Sequence, residues 1–222
     1  MTAANTTGLP KRLWYDFLRF SSRLCGVSLF GLRCYGRENW PATGGGLVLS
    51  NHQSHFDPVL VGLTCNRRLN YLARDSLFRF APFRLLIESL DAIPVDREGL
   101  GLNGLKETLR RLKRGEFVLM FPEGTRTTTG QVTPLKPGFS ALATRANVPI
   151  IPVAIDGAFQ LWPRKNAFPL LWGCLHIHIG KPMPPEEVKE YSDRELIRHL
   201  QQQLTDLHAA ARTSRKRSLG KR

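Results

Sequence analysis

Gly46-Leu47-Val48-Leu49-Ser50-Asn51-His52-Gln53-Ser54-His55-Phe56-Asp57-Pro58 reads as a short apolar strand that runs into a polar turn and then a helix. Gly46–Ser50 is an apolar run of strand length. Pro58 disfavours helical geometry at the residue before it and is well placed to open a helix, so Val59, Leu60, Val61 and Leu63 fall in the helix that follows. Within the turn, His52 and Asp57 lie five residues apart, the wrong spacing for neighbours on one helical face. They meet only if the chain turns back on itself. A histidine takes and returns a proton near neutral pH, and a carboxylate on its other ring nitrogen fixes the tautomer and steadies the imidazolium. A plainer reading fits the same residues: Asp57 caps the helix and His52 is an ordinary loop histidine.

Outward from this segment, strand and helix signals alternate. Asn70–Ala73 and Ala92–Val95 read as strands, and Glu116–Phe121 and Pro149–Ile155 as strong buried ones. In 175–179, Leu175, Ile177 and Ile179 alternate with His176 and His178, the pattern of a strand with one polar face. Helical stretches fall between them at Gly99–Arg114, Gly138–Ala146 and Ser192–Ala211; in the first, Leu102, Leu105, Leu109 and Leu112 repeat at helical spacing. The alternation predicts an α/β single layered domain, with a largely parallel or mixed central sheet flanked by helices. Such sheets place ligands at their strand-to-helix turns.

Three of those turns carry chemistry: the His52/Asp57 turn, Ile93-Pro94-Val95-Asp96-Arg97, and Phe121-Pro122-Glu123-Gly124-Thr125-Arg126. Arg97 and Arg126 each offer a planar pair of donors that suits a phosphate. Gly124 permits positive φ or a close backbone approach, and Thr125 and Thr127 add hydroxyls. Singly, each arginine turn also reads as a solvated loop. Together with the His/Asp turn they describe a site for an anionic ligand.

The charge points the same way. The chain of 222 residues carries a formal +14. Six basic residues and no acidic one lie in 212–222, and 14 less 6 leaves +8 on the rest. Anionic partners are expected: phosphate-bearing ligands, an acidic membrane surface or nucleic acid. No run of about 18 apolar residues suggests a transmembrane helix. Residues 1–35 form an N-terminal amphipathic helical arm. Leu13, Trp14, Phe17, Leu18, Phe20, Leu24, Val27, Leu29, Phe30 and Leu32 stand beside Lys11, Arg12, Arg19, Arg23 and Arg33. That composition suits a helix lying on anionic lipid, and equally a surface helix packed on the core; Gly26 and Gly31 leave open one bent helix or two short ones. The main domain is expected over 36–211, and 212–222 as a basic, disordered tail.

Several chemistries find no support. Cys25, Cys34, Cys65 and Cys174 are widely spaced, with no C-x-x-C pair, and fit a reducing compartment better than a disulfide frame or a metal site. No His-Glu-x-x-His helix accompanies His52 and His55, and neither a Gly-x-Ser-x-Gly elbow nor a Gly-Lys-Ser/Thr phosphate loop is present. The competing class is a non-catalytic, basic membrane- or nucleic-acid-binding protein. It rests on charge alone and leaves the His/Asp turn unexplained.

The chain resembles the glycerolipid acyltransferases typified by 1-acylglycerol-3-phosphate acyltransferase. Their four ordered blocks are matched here by Asn51–Asp57 (Asn-His-x-Ser-x-x-Asp), Ile93–Arg97, Phe121–Arg126 (Phe-Pro-Glu-Gly-Thr-Arg) and Val148–Val153 (Val-Pro-Ile-x-Pro-Val). The resemblance implies transfer of an acyl group from a thioester of coenzyme A or acyl carrier protein to a lysophospholipid hydroxyl. The expected acceptor is 1-acylglycerol-3-phosphate, or otherwise another lysolipid or glycerol 3-phosphate. It further implies His52 as general base and Asp57 as its orienting partner, with Arg97, Glu123, Gly124, Thr125 and Arg126 on the acceptor. The arginines would meet its phosphate, and Glu123 the glycerol hydroxyls or the arginines. No metal or resident cofactor is implied, nor nucleic acid. The expected place of action is the cytoplasmic face of a membrane, as a peripheral or monotopic protein.

Overall fold

The computed structural model describes residues 9–74, 84, 93–95, 101–166 and 168–220. Among these, seven strands form one sheet: β1 (Arg33–Tyr35), β2 (Gly46–Ser50), β3 (Leu69–Arg74), β4 (Ile93–Val95), β5 (Phe117–Met120), β6 (Ile150–Asp156) and β7 (His176–Ile179). Their spatial order is β1-β7-β6-β2-β5-β3-β4. The strands from β2 to β6 run parallel, β7 is antiparallel to β6, and β1 is parallel to β7. The sheet is therefore mixed and largely parallel, as the alternation predicts.

Helices cover both faces. They are α1 (Leu9–Phe30), α2 (Asp57–Thr64), α3 (Gly101–Lys113), α4 (Ser140–Ala146), α5 (Ala158–Leu161), α6 (Pro185–Glu190) and α7 (Asp193–Leu219). The period of two along each strand divides the core. Leu47, Leu49, Val118, Met120 and Ile150 pack with Leu112 of α3, Leu142 of α4 and Leu196, Leu200 and Leu204 of α7. Val48, Phe117, Leu119, Ile151, Val153 and Ile155 face the other way, onto Leu60, Val61 and Leu63 of α2 and Leu161 of α5. A strand buried on both faces reads as a continuous apolar run rather than an alternating one. That is why β2, β5 and β6 stand out in the sequence.

Two expectations are corrected. First, the arm does not extend to residue 35. It is a single helix ending at Phe30, and Arg33–Tyr35 joins the sheet against β7. Second, 212–219 is helix rather than disordered tail. α7 continues without interruption to Leu219, because its buried stripe Leu196, Leu200, Leu204, His208 and Ala211 is prolonged by Arg215, whose Nε donates to the Asp156 carboxylate. His176 and His178 share one face of β7, as the alternation predicts, with Ile177 and Ile179 on the other. His176 is fully buried, and His178 is half-buried with Nε2 3.1 Å from Ser214 Oγ of α7. Burial foremost, with Arg33 next, lowers the His176 pKa to about 4.

Candidate active site

β2 and β5 are neighbours and parallel, so the turns that leave their carboxyl ends emerge side by side. After β2 the chain is pinned by Asn51, whose side chain donates to the Ile155 carbonyl at 2.9 Å and accepts from the Ile155 N–H at 2.8 Å. That two-way clamp onto β6 sets where His52 emerges. Gln53 turns inward, donating to the Gly130 carbonyl at 2.7 Å and accepting from the Phe159 N–H at 3.2 Å.

The turn folds back as the five-residue spacing requires. His52 Nδ1 lies 2.7 Å from Asp57 Oδ2, and the same oxygen accepts the Gln53 N–H at 2.5 Å and the Ser54 N–H at 2.7 Å. Asp57 is fully buried, while the His52 side chain keeps 19% exposure. Asp57 is the first residue of α2 rather than its cap, and its carboxylate reaches back over the turn. Of the two readings open in the sequence, the His/Asp pair is the one the structure shows. Oδ2 acts as an acceptor toward two backbone N–H groups, so in the neutral imidazole Nδ1 donates to it as well and Nε2 is left as the acceptor nitrogen.

The Phe121–Arg126 segment supports this pair from the β5 side. The Phe121 ring stacks on the His52 ring, with centroids 4.0 Å apart and planes at 15°. The Gly124 N–H closes a turn onto the Phe121 carbonyl at 3.0 Å, and Gly124 sits at φ 69°, where a side chain would be strained. Glu123 braces the turn from within. It is buried, Oε1 accepts the His52 N–H at 2.7 Å, and Oε2 accepts the Thr133 N–H at 2.9 Å and its hydroxyl. Facing inward, it positions the His52 backbone. Burial raises the Glu123 pKa against the lowering effect of these hydrogen bonds.

The remaining predicted residues divide. Thr125 is exposed, and its Oγ1 accepts from Arg164 at 3.2 Å. Thr127 is buried instead of offering a free hydroxyl: its N–H donates to the His52 carbonyl at 2.8 Å, and Oγ1 lies 3.3 Å from Thr129 Oγ1. Arg126 is half-buried near His55, whose pKa is lowered by burial first and then by Arg126 and His52. Arg97 lies outside the described residues; the strand before it, β4, runs parallel to β3 at the sheet edge.

Sequence reasoning missed three contributors: Phe121 as the wall behind His52, Thr133 as the partner of Glu123, and Trp162. The Trp162 ring lies 4.7 Å from His55 and 4.9 Å from Phe56, and its carbonyl accepts the Ser54 hydroxyl at 2.9 Å. No spacing rule links positions more than 100 residues apart.

The family described as Acyltransferase matches residues 31–156, which include both turns. A 1-acyl-sn-glycerol-3-phosphate acyltransferase of Pseudomonas aeruginosa is 33% identical over 190 residues, 80% of this chain and 71% of that protein. This chain belongs to the acyltransferase family. A protein of the same description from Bacillus subtilis is 29% identical over 168 residues, 75% of this chain and 81% of its own. In fold, the acyltransferase is similar to the crystal structure of the 1-acyl-sn-glycerophosphate (LPA) acyltransferase PlsC from Thermotoga maritima. The TM-score is 0.72 at 24% identity, covering 86% of this chain and 78% of that one.

Proposed function

We propose that this acyltransferase moves an acyl group from an acyl thioester to the free hydroxyl of 1-acylglycerol-3-phosphate and so makes phosphatidic acid. The observation that carries the reading is the 2.7 Å contact from His52 Nδ1 to the buried Asp57, which leaves Nε2 of a partly exposed ring as base. Nε2 takes the hydroxyl proton as the acceptor oxygen attacks the thioester carbonyl. When the tetrahedral intermediate collapses, the C–S bond breaks and the imidazolium returns the proton to the departing thiolate. No acyl-enzyme is required, because the thioester is already activated and the acceptor is itself the nucleophile. General-base assistance of this kind supplies roughly two to four orders of magnitude in rate.

Arg126, with Arg97, holds the acceptor's phosphate, and Gly124 and Thr125 line the same turn. Coenzyme A or acyl carrier protein supplies the acyl group as co-substrate, without resident metal or cofactor. The enzyme works as a peripheral or monotopic protein on a cytoplasmic membrane face. In support, the charge of +14 favours anionic lipid, and no helix among the described residues is long and apolar enough to cross a membrane.

The test is a panel of lysolipids and glycerol 3-phosphate offered with labelled acyl-coenzyme A and acyl carrier protein. Free thiol and labelled phosphatidic acid should appear together and depend on the lysophosphatidic acceptor. Thioester consumption without acceptor, or fatty acid released from finished phospholipid, would sink the reading.

A further inference from the structure

Between α5 and β7 the chain presents Phe168-Pro169-Leu170-Leu171-Trp172. Four of these side chains are out in solvent: Phe168 at 82% exposure, Leu170 at 57%, Leu171 at 65% and Trp172 at 72%. Isolated exposed apolar residues are ordinary, but a contiguous cluster of large ones on a soluble surface marks a contact with something else. We propose that Phe168–Trp172 is a second membrane-insertion element, which enters the interface of an anionic bilayer beside α1 and holds the His52 turn against the lipid surface. This rests on the reading that the acceptor is a membrane lipid.

The composition suits that occupant. Trp, Phe and Leu enter the headgroup–acyl boundary, while the exposed Arg164 and Lys165 just before them meet anionic headgroups. The stems of the segment are fastened. The Leu170 N–H donates to the Leu161 carbonyl at 2.8 Å, and Trp162 Nε1 to the Asn166 carbonyl at 2.9 Å. Past the cluster, the Leu175 N–H donates to the Phe30 carbonyl at 3.0 Å, which ties the exit strand to the end of α1.

Position supplies the second argument. Phe30 lies 6.0 Å from Phe56 and Phe56 4.9 Å from Trp162, so a row of rings joins the end of α1 to the root of the segment and to the catalytic turn. α1 carries its own exposed stripe of Leu13, Phe17, Phe20, Leu24 and Val27. Their spacing of four, three, four and three keeps them on one face of the helix. The two apolar surfaces therefore flank the turn that must receive a lipid acceptor. A second copy of this chain would be a rival occupant, but a polypeptide partner gives no reason for the cluster to be rooted at the acceptor turn.

The experiment uses the full-length protein carrying Phe168→Ser, Leu171→Ser and Trp172→Ser together. Partition onto vesicles of phosphatidylcholine and phosphatidylglycerol is measured at high salt, where the charge contribution is screened. Loss of three interfacial side chains should weaken partition by at least about tenfold. Thiol release with a water-soluble short-chain acceptor should stay unchanged. A Trp172→Phe variant should bind vesicles as the parent does, yet lose a blue-shifted emission component that bromolipids quench in the parent. Undiminished partition of the triple variant, or no Trp172 emission quenched by bromolipid, would overturn the proposal. So would a parent dimer that the triple variant abolishes without change in vesicle binding. Vesicle partition needs no catalysis. A chain that binds through this segment but transfers no acyl group would fail the functional reading and keep this one.

Discussion

The imidazole of His52 lies flat on the ring of Phe121, 4.0 Å between centroids and 15° from parallel, although the two residues leave different strands. The ring is thus held from two directions: its edge by Asp57 and its face by Phe121. A base held this way reaches the acceptor hydroxyl with little orientational freedom left to lose. Phe121→Ala should lower turnover by roughly tenfold, with acceptor affinity little changed, whereas Phe121→Tyr should retain most activity. Separate kcat and KM measurements with the same thioester decide this.

The His/Asp pair itself sets a larger effect. His52→Ala and Asp57→Ala should each cut turnover by at least about a hundredfold with little change in the folded spectrum. His55 is exposed and packs at a tilt against Trp162 instead of meeting Asp57, so His55→Ala should be far milder. An essential His55 beside a dispensable His52 would contradict the mechanism.

How much of this was legible in the sequence follows from what each segment must bury. β2, β5 and β6 are apolar runs because both faces of the sheet are covered, and the two turns between them carry their chemistry in consecutive residues. β1 escapes notice because Arg33 and Tyr35 point outward, and only Cys34 hints at an inner face. The end of α7 reads as a solvated basic run, since nothing local reveals that Arg215 meets Asp156, the last residue of β6. Glu123 belongs to the motif by type, but its inward direction depends on Thr133, ten residues further along the same loop. Contacts made across the fold leave no periodic trace.

That Arg215 contact predicts a stability effect in place of a tail phenotype. Asp156 is held below the ordinary carboxylate range: burial opposes the shift, but hydrogen bonds from His208 and Arg215 outweigh it. Removing Arg215 as alanine leaves a buried carboxylate with His208 Nε2, 3.2 Å from Oδ1, as its remaining partner. The loss should be on the order of 1.5–3 kcal/mol, the range for a hydrogen bond to a charged group. A urea midpoint unchanged in Arg215→Ala would mean that α7 contributes nothing past Ala211.

His176 predicts the pH dependence. Its pKa falls from 6.5 to about 4 on folding, so between these values the unfolded chain binds the extra proton and the folded chain does not. Stability from this group is complete above pH 6.5, drains as pH falls toward about 4, and then levels off. His176→Leu has no proton to bind in either state. From neutral pH into acid, the variant's melting temperature should therefore decline visibly less than the parent's. Parallel melting curves across that window would rule out the linkage.

Binding of the acceptor's phosphate should depend on Arg126. Arg126→Ala should raise the acceptor KM by about 10- to 100-fold, the equivalent of a charge-assisted contact worth roughly 1.5–3 kcal/mol. Lysine should restore only part of the loss, because an ammonium lacks the planar fork. The thioester KM should hardly move. Equal damage to both substrates would place Arg126 in the framework of the turn rather than on the phosphate.

Docking through α1 can be separated from its structural role. Arg23 Nε donates to the Leu63 carbonyl at 2.9 Å, and Leu32 is buried in the core, so removing 1–35 would injure α2 and the sheet along with any membrane contact. Substitution of the outward stripe avoids this. Phe17→Ser with Phe20→Ser and Leu24→Ser changes only exposed positions and should leave the melting temperature near that of the parent. Apolar insertion resists salt, whereas attraction of basic residues to anionic lipid, about 1 kcal/mol each near the surface, is screened by it. The parent should therefore bind anionic vesicles less tightly, but still measurably, at high salt. The triple variant should bind at low salt and release at high salt. If it sediments with vesicles as fully as the parent at both salt concentrations, α1 is a packing helix and the docking surface lies elsewhere.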